Sequence, residues 1–383
     1  MTPFEQVEEI FRSEGPEAVF DLLIRNAREQ KNYRELFSAR LMHVRHRMGL
    51  PLVETEPVTQ ISDGQRPAYE KALQDAARET GELFLADGDI AAAWPYFRAI
   101  GESAPVTAAI EKVESGENLD RVIEIAFQEG VNPRKGFELI LKQYGLCRAI
   151  TWFGSNRDFE SRQQCLRLLV RTLYEELTAS LKHTIAANEG AEPVTNRVAE
   201  LIAGRDWLFE GTSYYVDSSH LMSILRFTPE LEDQESLQMA LEMAEYGRKL
   251  APMFHFRGDP PFEDSYSDHA VYLRALLGEE ADGAIAHFRQ KAGEPQMPGD
   301  TTAAEVLIDL LVRLDRLDDA IRASLELLPD APSQLSCPSV LQLCQLAGNY
   351  TQLRSVAQQR GDRLSFAAGV IQSNQHLHVS PLK

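Results

Sequence analysis

The sequence predicts an all-α protein, a stack of paired helices with one long helix near its centre. Three observations carry this. Helical periodicity runs almost end to end through the 383 residues. Gly or Pro punctuation recurs between the periodic segments, at Gly15-Pro16, Asp87-Gly88-Asp89, Gly130 to Pro133, Gly278, Pro298-Gly299 and Pro329. No run of alternating β-branched residues closes on Asn-Gly or Asp-Gly, the mark of a hairpin. The best strand candidate, "TSYYV" at 212–216, is short and isolated.

Residues 1–50 read as N-terminal helices. In "PEAVFDLLIRNAREQ" Val19, Leu22, Leu23 and Ala27 share one stripe at helical spacing. Residues 51–67, the core of the stretch "GLPLVETEPVTQISDGQRP", carry Pro51, Pro57 and Pro67 and read as a loop between helical groups. A helical-repeat domain over 68–383 follows, with an atypical middle at 145–265. There, "FESRQQCLRLLVRTLYEELTASLKHTIAANEG" (159–190) forms one unusually long helix. Trp207, Phe209, Tyr214 and Tyr215 then gather ahead of a helix capped by Asp217 or Ser218. Cys147 shares a stripe with Ile140, Tyr144 and Ile150 and reads as core. The tail "QSNQHLHVSPLK" is polar and reads as frayed.

Residues 77–105, "ARETGELFLADGDIAAAWPYFRAIGESAP", resemble a tetratricopeptide repeat. Gly81 and Ala93 leave room for two helices to approach, Phe84 and Phe97 fill the space beside them, and Pro105 closes the unit. Pro95 departs from the pattern by falling inside the second helix. Ala284 and Phe288 match Ala93 and Phe97 in a second unit. Ala320, Leu327 and Pro332 match in part in a third, with Ser324 at the aromatic position. The resemblance is degenerate and covers about half the chain. It implies a right-handed superhelix of helix pairs with a concave groove.

Net charge is −19, with 44% hydrophobic and 25% charged residues. Such a field opposes nucleic acid and anionic membrane surfaces as partners. One basic stretch runs from Arg25 to Arg47, and it reads as a solvated helix face pairing with acidic neighbours. Cys147, Cys165, Cys337 and Cys344 form no C-x-x-C pair, so buried thiols in a reducing cytoplasm are expected. No apolar run approaches membrane-spanning length.

The densest polar cluster is "HFRGDPPFEDSYSDHA", residues 255–270. His183, His220 and His255 lie 37 and 35 residues apart, close to one repeat length. By the resemblance, His269 falls in a groove-facing register. Asp217, His220, His255, Asp264 and His269 are the candidate ligands of a divalent metal such as zinc, iron or manganese, with His183 nearby. Trp207, Tyr214, Tyr215, Arg257 and Phe262 would line the ligand site. The expectation is a binding module whose groove takes a protein, a peptide or a small ligand. The alternative is a metal-binding protein or metal-dependent hydrolase.

Overall fold

A computed structural model describes residues 2–53, 61–156, 159–294, 299–328 and 335–375. Helix accounts for 73% of these residues and no strand occurs among them, so the all-α class holds. In chain order the helices are α1 (Pro3–Glu14), α2 (Pro16–Glu29), α3 (Tyr33–Arg47), α4 (Arg66–Ala86), α5 (Ile90–Ala99), α6 (Ala104–Glu111), α7 (Leu119–Ile123), α8 (Pro133–Ser155), α9 (Arg162–Glu189) and α10 (Val198–Ile202). There follow α11 (Ser218–Leu225), α12 (Gln234–Lys249), α13 (Ser265–Leu276), α14 (Ala281–Gly293), α15 (Thr302–Arg313), α16 (Leu317–Leu327), α17 (Val340–Leu346), α18 (Tyr350–Gln359) and α19 (Arg363–Gln375). The sequence sets many of these starts through side chains that satisfy orphan amides of the first turn. Asn32, Asp89, Asn132, Asp217, Asp233, Asp264 and Asn349 all accept a backbone N–H in this way.

The residues group into two compact units, Met1–Ala149 with Ser155–Arg162, and Ile150–Gly154 with Gln163–Lys383. In the first unit, α1 to α6 each pack on their sequence neighbour. The α4–α5 joint is close: a Cβ added to Gly81 would lie 2.5 Å from the Phe97 ring. Ala93 and Phe97 are fully buried, while Phe84 is only half-buried and stacks on Tyr96 instead. Helix α2 buries Phe20, Leu22, Ile24 and Ala27. Val19 and Leu23 of the expected stripe are half-buried, because α2 is packed by both α1 and α3 and its covered face is correspondingly wide.

In the second unit, α9 is 28 residues long and lies within the expected span 159–190. From α12 to α19 each helix again packs on the next. The repeat positions Ala284, Phe288, Ala320 and Ser324 are all buried. Cys147 corrects the sequence reading. Gly145 breaks α8 with φ 75°, so the stripe through Ile140 changes phase, and the thiol is exposed while Leu146 and Ala149 are buried. The other three cysteines are buried. No helix among the described residues is long and apolar enough to cross a membrane. Residues 54–60 of the proline-rich loop, Pro298, Pro329, Pro332 and the tail from residue 376 lie outside the described residues.

Candidate functional site

The stretch 255–270 is a folded loop joined to a helix start. Gly258 N–H donates to the Glu263 carbonyl at 3.1 Å and Phe262 N–H to the Asp259 carbonyl at 2.8 Å, which closes the loop on itself. Only glycine fits at 258, since a Cβ there would lie 2.1 Å from the Phe262 carbonyl oxygen. Ser265 Oγ and Tyr266 Oη tie α13 back to the carbonyls of Phe256 and Phe254.

Asp264 caps α13 by accepting the Ser267 N–H, and Asp268 in the first turn accepts the Asp264 N–H at 2.9 Å. Asp268 is 2% exposed. A buried carboxylate needs compensating donors, and a helix N-terminus also favours it. Helix α14 supplies them. His287 Nε2 lies 2.8 Å from Asp268 Oδ1, and Lys291 Nζ donates to Asp268 Oδ2 at 2.8 Å. The same ammonium donates to Glu263 Oε2 at 2.6 Å and to the Pro261 carbonyl at 2.7 Å. Burial works against the Lys291 charge, but the hydrogen bonds and attraction of Asp268 and Glu263 outweigh it and hold its pKa above the ordinary value.

Above this network opens a cleft of about 620 Å³. Arg257, Glu263 and Asp264 of the loop line one side, and His287, Gln290 and Lys291 of α14 with Glu294 just past its end line the other. Acidic groups outnumber basic ones. With Lys291 paired to Glu263 and Asp268, the lining charges that remain are the carboxylates of Asp264 and Glu294 against the guanidinium of Arg257.

Beside the cleft, His269 is 1% exposed and stacked on Phe262, with ring centroids 4.2 Å apart. Its Nδ1 lies 2.5 Å from the Ser265 carbonyl, which fixes the proton on that nitrogen. Nε2 is then a buried acceptor with no partner among the described residues. Burial drives the pKa down to about 4, against the opposing pull of the Ser265 carbonyl and Asp268.

The expected site residues meet only in part. Arg257 and Asp264 reach the cleft, whereas Phe262 packs inward against His269, Tyr272 and Phe288. His255 Nε2 engages the Leu250 carbonyl at 2.9 Å. Asp217 caps α11, and His220 follows it within electrostatic reach of Glu176 on α9. Tyr215 Oη donates to the Leu208 carbonyl, Tyr214 is 55% exposed against Phe254, and Trp207 sits half-buried in a 3-10 turn. His183 lines a different cleft beside α9. Among the described residues no three His, Cys, Asp or Glu side chains form a group able to hold a metal ion, so the five expected ligands do not make a metal centre.

Sequence reasoning missed His287 and Lys291. A signal was present: the pair is spaced i, i+4 in "HFRQK" and flanks Phe288, whose inward register the repeat pattern had fixed. Comparison with known protein families, curated proteins and solved structures finds no match.

Proposed function

We propose that this chain is a helical-repeat binding module of tetratricopeptide-like kind, and that its cleft between the 257–264 loop and α14 receives an extended peptide carrying a basic side chain. The consecutive packing of α12 to α19 and the buried small and aromatic positions of α5 and α14 support the repeat reading. One observation carries the site: Asp268 satisfies donors from α13 and α14 at once, so both cleft walls are held before any ligand arrives. Asp264 and Glu294 at the cleft, on a chain of net charge −19, select for a cationic partner.

Fluorescence anisotropy with labelled lysine-containing and glutamate-containing peptides of equal length tests this. The basic peptide binds, the affinity falls as salt rises, and Glu294→Lys weakens it by about tenfold, the loss of one favourable charge contact plus new repulsion. Equal affinity for both peptides, or no change in the variant, overturns the assignment.

A further inference from the structure

We propose that α1 of one copy of this chain docks on α19 of a second copy, so that copies associate head to tail. Each helix carries an exposed apolar stripe. On α19, Leu364, Ala367, Ala368 and Ile371 are spaced i, i+3, i+4, i+7 and all four are exposed, Leu364 by 85% and Ile371 by 57%. The opposite side of the helix is the packed one. Gly369 is buried there, and a Cβ added to it would lie 2.8 Å from Arg354 Cγ of α18. Helix α19 thus has two apolar faces, one against α18 and one open among the described residues.

On α1, Phe4 and Phe11 are 83% and 58% exposed, with Val7 half-buried between them. Helix α1 packs on α2, yet none of its residues is buried. Phe4 to Phe11 and Leu364 to Ile371 are equal steps along a helix, each about 10 Å, so the two stripes match in length. The small Ala367 and Ala368 between larger neighbours leave room for a phenyl ring from the facing helix.

Charge selects the pairing. Helix α1 carries Glu5, Glu8, Glu9 and Glu14 against Arg12 alone. Helices α18 and α19 with their connecting turn carry Arg354, Arg360 and Arg363 against Asp362, although the whole chain has net charge −19. Asp362 is engaged in capping α19 through the amides of Leu364 and Ser365. Arg360 and Arg363 are exposed and have no ion pair among the described residues. Two α1 helices would repel one another, and so would two α19 helices, whereas α1 attracts α19. Such a contact is heterologous: a pair of copies keeps one free α1 and one free α19, and further copies can add. One helix face from each copy makes a small interface, under about 1,200 Å² in total, so the association is weak and reversible.

Sedimentation velocity of the full chain from about 5 to about 500 µM tests this, and the average sedimentation coefficient is expected to rise over that range. Phe4→Gln with Phe11→Gln weakens the association by at least about tenfold, and so, separately, does Leu364→Gln with Ile371→Gln. All four positions are exposed and glutamine is a good helix former, so both variants keep the fold. The first variant retains an intact α19 stripe and the second an intact α1 stripe. Mixed in equal amounts they form a one-to-one pair and grow no further. A wild-type chain that stays monomeric overturns the proposal, as does a mixture that forms no pair. Either variant associating alone as strongly as the wild type also overturns it, because the contact would then join α19 to α19 or α1 to α1. Should a variant melt early, Arg363→Glu is read instead: it weakens the association by about threefold at low salt, and an unchanged association overturns the pairing.

Discussion

Acidification should destabilise the second unit through His269, and the size of the effect follows from its surroundings. The imidazole is 1% exposed, with Nδ1–H held by the Ser265 carbonyl and Nε2 facing no donor among the described residues. Its pKa is about 4 in the folded chain, against an ordinary value of 6.5. Between those two values the unfolded chain binds a proton that the folded one refuses. Stability is therefore intact above about pH 6.5 and drains away as pH falls toward about 4. A shift of this size corresponds to about 3 kcal/mol. Urea unfolding across that pH range measures it. The variant His269→Asn keeps a donor near the Nδ1 position but cannot titrate, so it carries a fixed packing cost and loses the pH-dependent part. The wild-type curve should fall by about 3 kcal/mol more than the variant curve over the window. Parallel curves would refute the reasoning, and so would an imidazole that titrates near 6.5 by proton NMR of the native protein.

Lys291→Met should cost about 3–5 kcal/mol, because it takes the ammonium away from the buried Asp268 carboxylate; chemical denaturation checks it. Asp268→Leu, His287→Leu and Lys291→Met together should cost less than that single change, because the buried carboxylate is removed with its donors, and should weaken binding of the basic peptide by loosening the cleft walls; melting curves and anisotropy read the two effects separately. Ala93→Leu should overpack the α4–α5 joint and cost about 1–3 kcal/mol by thermal melting, since Ala93 is fully buried there.

The helices were legible because many carry their own start signal and most an apolar face that repeats within a few residues. Local information suffices for both. Of the two expected caps, Asp217 and Ser218, the structure uses Asp217, and the long α9 is present as expected. The Cys147 error shows the limit of the method: a periodicity argument assumes an unbroken helix, and Gly145 resets the phase. The site was half legible for a related reason. Loop 255–264 is dense in polar residues and announces itself. Its partners His287 and Lys291 are ordinary surface residues by composition, and only the turn that brings α14 against α13 gives them a buried carboxylate to meet. The histidine spacing misled because a distance along the chain fixes no direction: His255 turns to Leu250 and His269 turns into the core.

The network around Asp268 also bears on whether the cleft has a role beyond stability. Desolvating a carboxylate and an ammonium costs about as much as their attraction returns, so an apolar replacement would serve folding equally well. A chain selected for stability alone has little reason to keep Asp268 buried with Lys291 and His287 where Phe262, Tyr272 and Phe288 already supply an apolar core. What the ion pairs add is direction. Hydrogen bonds to one carboxylate fix where His287 and Lys291 stand, which dispersion contacts would leave loose. A side chain fixed in that way at the edge of an open cleft loses less entropy when a ligand arrives. The cost of the network is thus better matched by the proposed recognition than by folding, and on that ground the binding proposal is placed at the cleft rather than at the histidine series.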